Sequence, residues 1–316
     1  MCIRDRHISG QFESLEEIMA AADIACYAAK DRGRNELSVY SSEESETQNR
    51  QGELKLLPKL QNALQLNGFR LYVQEIVGLT PELENSYKHF EILLRMIDDD
   101  GSVMTPYQLV LAAERYDLMK DVDRWVNAEA FSKIAELNNT FGAFTDENTI
   151  FSINLSGQTA VDSSLTDFID SQLQITGISA TQICFEITET SAIANLNLAI
   201  ELIDYLHLRG CSVALDDFGS GVSSFGYLKH FPVDYLKIDG QFVKNIHTSP
   251  VDKEMVKCMH AVAQIQGIKT VAEFVENEEI SNILKTLNIE YGQGYYYNKP
   301  FPIEDLSNAV EFLKAA

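Results

Sequence analysis

C-S-V-A-L-D-D-F-G-S-G, residues Cys211–Gly221, is the stretch on which the fold turns. A short apolar run stops at two adjacent carboxylates, Asp216 and Asp217. A loop holding Gly219 and Gly221 follows at once. Neighbouring carboxylates repel, and a bound divalent ion turns that repulsion into coordination. The same letters also suit an Asp-rich turn leaving a strand. The motif alone leaves both readings open.

Outward from this stretch the pattern repeats. Apolar runs at Arg70–Val77, His89–Met96, Thr149–Leu155, Ile183–Ile187, Ser212–Leu215, Tyr235–Ile238, Thr270–Glu273 and Tyr291–Tyr297 alternate with helical patterns. Thr105-Pro106-Tyr107-Gln108 is a capping box with proline at the first helical position. Ser249-Pro250 repeats the device, and Gly267 is placed to stop that helix. A helix from about Leu54 to Leu66 precedes the first run. Strands alternating with helices over about 250 residues predict an α/β fold of the (β/α)8 barrel type. An open doubly wound sheet is the rival, but it would need fewer strands and a glycine-rich phosphate loop. No G-x-G-x-x-G or P-loop occurs.

The charge balance narrows the function. The 25 basic and 47 acidic residues give a net charge of −22. Such a surface repels long polyanions, so polymeric nucleic acid is not the expected partner. The five cysteines (Cys2, Cys26, Cys184, Cys211 and Cys258) are scattered and form no C-x-x-C pair. That argues against a disulfide framework or a thiolate zinc site and suggests a reducing compartment. No apolar run approaches the roughly 20 residues of a membrane span, and no signal peptide is evident. The expected location is the cytoplasm, with a longer parent protein still open to membrane anchoring.

Barrel strands are buried on both faces, so charges inside them need partners. Yet Glu91, Asn154, Glu186, Asp216, Asp217, Lys237, Glu273 and Gln293 all fall at or near strand C-terminal ends. In a barrel those ends converge on one mouth. The set is carboxylate and amide with no thiolate or histidine, which favours Mg²⁺ or Mn²⁺ over Zn²⁺. Five carboxylates exceed what one hard ion takes from protein. Two ions and phosphodiester hydrolysis are the natural expectation. Taken singly, any of these acids could be a salt-bridge residue, and Gln293 could be barrel packing.

The motifs E-I-L-L-R (Glu91–Arg95), N-L-S (Asn154–Ser156), F-E-I-T-E (Phe185–Glu189), D-D-F-G-S-G (Asp216–Gly221), F-P-V-D-Y-L-K-I-D (Phe231–Asp239), A-E-F-V-E (Ala272–Glu276) and Q-G-Y (Gln293–Tyr295) resemble the EAL domain, the cyclic di-GMP phosphodiesterase family. The resemblance implies a modified (β/α)8 barrel of the TIM type with an antiparallel first strand. It also implies hydrolysis of cyclic di-GMP to linear pGpG with Mg²⁺ or Mn²⁺. By motif, Glu91, Asn154, Glu186, Asp216, Asp217 and Glu273 correspond to metal ligands, and Glu273 also to a general base. Lys237 corresponds to the residue that orients the attacking water. Glu189 corresponds to the residue that pins the loop after Asp217. Arg95 corresponds to a phosphate contact, which fits guanidinium chemistry. Gln74, Gln293 and Asp239 are assigned to the substrate pocket. A catalytically inactive cyclic di-GMP receptor is the alternative, although no ligand position is lost. Three departures stand out: Ile92 inside the name-giving motif, Glu75 where proline is usual, and Phe274 where glycine is usual.

Residues 1–40 are expected to be a fragment of another domain. Ser14 and Glu17 form a capping-box pattern, and Ala22–Asn35 resembles the closing helix of a GGDEF domain without its G-G-D-E-F loop. Met1–Arg6 reads as a cloning or assembly scar. Residues 41–53 read as a linker, and 54–316 as the phosphodiesterase domain. The loop Asp217–His230 is a candidate homodimer element, with Phe218, Phe225, Tyr227 and Phe231 available either as contacts or as core.

Overall fold

The computed structural model describes residues 57–65, 68–83, 88–97, 101–104, 107–141, 149–220 and 225–306. The expected GGDEF-like helix, the linker, Thr105-Pro106 and Gly221 lie outside these residues. The barrel falls within the unit Leu60–Ala316.

Among the described residues ten strands form one sheet: β1 (Phe69–Gly78), β2 (Lys88–Ile97), β3 (Val103–Met104), β4 (Thr149–Leu155), β5 (Ile183–Thr188), β6 (Ser212–Phe218), β7 (Tyr235–Ile238), β8 (Lys269–Ala272), β9 (Tyr291–Gly292) and β10 (Phe301–Pro302). Their order is β10-β1-β9-β8-β7-β6-β5-β4-β2-β3, and β1 also pairs with β2. That last pairing closes the sheet. Strand β1 runs antiparallel to both β2 and β9. The links β2–β4, β4–β5, β5–β6, β6–β7, β7–β8 and β8–β9 are all parallel. The expected modified barrel with a reversed first strand is therefore the fold. The short strands β3 and β10 flank it. The last apolar run is shorter than expected: only Tyr291–Gly292 is strand, and Glu273 lies just past the end of β8.

Local signals set the helices. Ser249 caps Pro250–Ile265 by accepting a hydrogen bond from the Asp252 N–H, and Gly267 beyond its end has φ +74°. Thr188 caps Glu189–Ala194 by accepting from the Ser191 N–H, so Glu189 enters the first helical turn directly after β5. Phe218 and Phe231 are buried core residues, whereas Tyr227 is exposed.

The barrel interior has a packed floor. Ile76, Ile150, Cys184, Ala214, Tyr235, Val271 and Tyr291 form one buried cluster. The His89 ring meets Tyr235 and Tyr291 edge-on, with centroids 5.2 and 6.1 Å apart. These rings lie at the N-terminal ends of β2, β7 and β9.

Candidate active site

In the ladder Glu91 lies opposite Ser152, Asn154 opposite Glu186, and Thr188 opposite Asp216. Asn154 and the Asp216-Asp217 pair lie near the C-terminal ends of β4 and β6 and Glu273 just past β8, whereas Glu91, expected at a strand end, is the fourth of 10 residues in β2 and Glu186 the fourth of 6 in β5. Ordinary strand alternation would send adjacent Asp216 and Asp217 to opposite faces. The β6–β7 register shifts between Leu215 and Phe218, and Asp217 takes φ +54°. This irregularity turns both carboxylates toward the mouth. One carboxylate oxygen each from Asp216, Asp217 and Glu273 lie within 4.8 Å of one another.

Lys237 sits beneath this trio, 1% exposed. Its Nζ lies 2.6 Å from Glu186 Oε2, 3.0 Å from Asp216 Oδ1, 3.1 Å from Glu273 Oε1 and 3.5 Å from Glu91 Oε2. Burial alone would lower the lysine pKa, but Asp216, Glu186, Glu91 and Glu273 raise it well above its ordinary value. One cation against four carboxylates leaves excess negative charge. Burial, Glu91 and Asp216 push Glu186 up to about 8 despite Lys237. Burial, Asp216 and Glu91 raise Glu273 well above the usual range. Burial, Asp216 and Asp239 bring Asp217 to about 6. Glu91 differs. Burial raises it too, but Lys237 and hydrogen bonds from Gln293 and Asn154 together hold it below its ordinary value.

Amides frame the acids. Asn154 Nδ2 donates to Glu91 Oε1 at 2.8 Å, and Gln293 Nε2 donates to Glu91 Oε2 at 2.6 Å. Gln74 Nε2 donates to the Asn298 carbonyl at 3.1 Å. The Glu75 N–H, which a proline would lack, donates to Asn298 Oδ1 at 3.1 Å. That departure from the family pattern is thereby used. Asn298 itself was not singled out in the sequence. Its place just before Lys299-Pro300, after the last barrel strand, is the signal that could have found it.

Other candidates sit at the edge. Arg95 is four residues beyond Glu91 on β2, about 13 Å further along the strand, with its guanidinium 5.4 Å from the Tyr72 ring centroid. Glu189 accepts a hydrogen bond from the Gly219 N–H at 2.9 Å, tying β5 to the loop after Asp217. Asp239 caps the helix Gly240–Val243 by accepting from the Gln241 N–H.

The donor set fits hard divalent cations. It is all oxygen, three carboxylates already converge, and buried Glu186 Oε1 and Gln293 Oε1 have no hydrogen-bond partner among the described residues.

The EAL domain family model matches residues 58–300. The chain belongs to the EAL domain family. It is 40% identical over 296 residues to cyclic di-GMP phosphodiesterase PdeB of Shewanella oneidensis, covering 94% of this chain and 34% of that protein. Identity to cyclic di-GMP phosphodiesterase PdeF of Escherichia coli is 33% over 285 residues, covering 87% of this chain and 37% of that one. The chain thus spans about a third of the length of these curated relatives. Among solved structures, the PaMucR phosphodiesterase in complex with c-di-GMP superposes with a TM-score of 0.72 at 28% identity, covering 80% of this EAL chain and 99% of that one. Among the described residues, no helix is long and apolar enough to cross a membrane.

Proposed function

We propose that this EAL domain hydrolyses cyclic di-GMP to linear pGpG in a metal-dependent reaction. The observation that carries this reading is the convergence of Glu91, Glu186, Asp216 and Glu273 on one barrel mouth around Lys237. PdeB and PdeF, to which the chain is similar, carry that activity in their names.

Glu91, Asn154, Glu186, Asp216, Asp217 and Glu273 would hold Mg²⁺ or Mn²⁺, two ions by the count of carboxylates. Bound there, the ions supply positive charge to the phosphate oxygens and make water a better nucleophile. Arg95 orients the substrate phosphate through its guanidinium fork. Lys237 orients the attacking water, and Glu273 accepts the water's proton. The new P–O bond forms in line as the P–O3′ bond breaks. The proton finishes on the 3′-oxygen, so one water is consumed per pGpG. Glu189 holds the loop after Asp217 through the Gly219 N–H, while Gln74, Gln293 and Asp239 shape the pocket.

Three finer readings accompany this proposal. Residues 1–40 are the closing part of a GGDEF domain, 41–53 a linker and 54–316 the catalytic domain. The region after Asp217 supports a homodimer, with exposed Tyr227 as its available contact. The domain works in the cytoplasm.

The test is pGpG release with added Mg²⁺. Glu91→Ala and Asp216→Ala are each expected to abolish turnover while far-UV circular dichroism stays that of the parent. Parent-like rates in either variant contradict the assignment. Binding of cyclic di-GMP without turnover by the parent would favour the receptor alternative.

A further inference from the structure

Phe274 is the residue at the mouth that the mechanism leaves without a task. It directly follows Glu273, whose carboxylate belongs to the acidic trio. Its backbone has φ +54°, the left-handed region that glycine enters freely and a bulky side chain enters at a cost. Despite that cost the side chain is not core, since Phe274 is 52% exposed. Strain held at a half-exposed residue points to a functional placement.

The ring is nevertheless held in position. A Cβ built on Gly240 would lie 2.2 Å from Phe274 Cδ2, so the ring lies against the glycine backbone just after Asp239. Lys244, on the same segment, places Nζ 3.9 Å from the ring centroid. Both contacts come from the loop and helix that follow β7, the strand carrying Lys237. A half-exposed ring, one face covered by the Lys244 ammonium, therefore stands next in the chain to the acidic cluster, in a protein of net charge −22, and its uncovered surface is what a base could meet. Apolar faces with a neighbouring cation suit a nucleobase linked to a phosphate.

We propose that Phe274 is a stacking platform for one purine base of the bound cyclic dinucleotide, and so a specificity-determining residue. This rests on the reading of the mouth as a cyclic di-GMP site. Gly240 is the residue that lets the ring settle, and Lys244 steadies its face.

The experiment measures the dissociation constant for cyclic di-GMP without added metal, KM and kcat for pGpG release with Mg²⁺, and the melting temperature. Phe274→Ala is expected to raise Kd and KM about tenfold, a change equivalent to about 1.4 kcal/mol and within the range for base–aromatic stacking. Its kcat should stay within about twofold. Phe274→Gly should lose affinity equally while melting at or above the parent temperature, because glycine relaxes the backbone. A purely structural ring would lower the melting temperature instead. Phe274→Trp should keep parent-like affinity. An active parent whose Phe274→Ala variant keeps both constants within twofold overturns the platform alone. A parent that neither binds nor hydrolyses cyclic di-GMP overturns the platform together with the reading it rests on.

Discussion

At the floor of the barrel His89 hydrogen-bonds Ser152 Oγ at 2.8 Å and is walled in by Tyr235 and Tyr291. At the mouth Lys237 faces four carboxylates within 3.5 Å. Both regions bury polar groups, but they do so in different charge states. Burial drives His89 down to about 3, so the floor is neutral near pH 7. The mouth keeps the charge of Lys237, while its crowded acids Glu186 and Glu273 hold protons that a bound cation would displace. The floor is built for stability. The mouth gives stability up in exchange for an electrostatic demand that a ligand can meet.

The largest expected effect breaks the mouth. Replacing Lys237 by Met strips the buried acids of their cation and should cost about 3–5 kcal/mol in urea unfolding without metal. Added Mg²⁺ should restore part of the loss. A variant as stable as the parent would mean that the mouth is not short of positive charge.

Next comes the pH dependence of the metal-free protein. The folded-state pKa values of Glu186 (about 8) and Asp217 (about 6) lie above their ordinary values. The folded state therefore holds protons that the unfolded chain has released. The stabilising contribution is full below the ordinary carboxylate values and is lost as pH rises from there to about 6 for Asp217 and about 8 for Glu186. Unfolding in EDTA should show stability falling by about 1.4 kcal/mol per pH unit for a fully buried group, less for half-buried Asp217. A saturating divalent cation should flatten that slope.

The floor should show the opposite sign. His89 titrates near 3 in the fold against an ordinary 6.5. The unfolded chain binds the extra proton, so stability is lost as pH falls below 6.5. His89→Gln should flatten this acid limb and leave the alkaline limb unchanged, as read by denaturant midpoints from pH 4 to 8. The smallest effect sharpens the same contrast. Ser152→Ala removes the partner of His89 and should cost about 1 kcal/mol in urea unfolding. Its rate of pGpG release should be unaltered.

The barrel strands were readable because most lie in apolar runs interrupted by a polar or charged residue, as in F-S-I-N-L and Y-L-K-I. Strands β3 and β10 were not, because V-M and F-P stand alone, whereas the equally short β9 opens the longer run Tyr291–Tyr297. The acids at the mouth were readable one by one, but their arrangement was not. D-D has the same letters whether both carboxylates meet or diverge, and only the β6 irregularity brings them together. Lys237 was legible as a lysine among acids, whereas its contact with four of them depends on barrel closure. In the sequence Phe274 is only a departure where glycine is usual; its positive φ and its seat on Gly240 are properties of the folded chain alone.

We read the mouth as an acidic site for hard divalent cations. Calorimetric titration of the purified protein with Mn²⁺ at pH 8, beside Asp216→Asn, tests it most directly. Saturable binding in the parent, a matching rise in melting temperature, and loss of both in the variant are the predicted results. No saturable heat in the parent, or equal binding in Asp216→Asn, would contradict it.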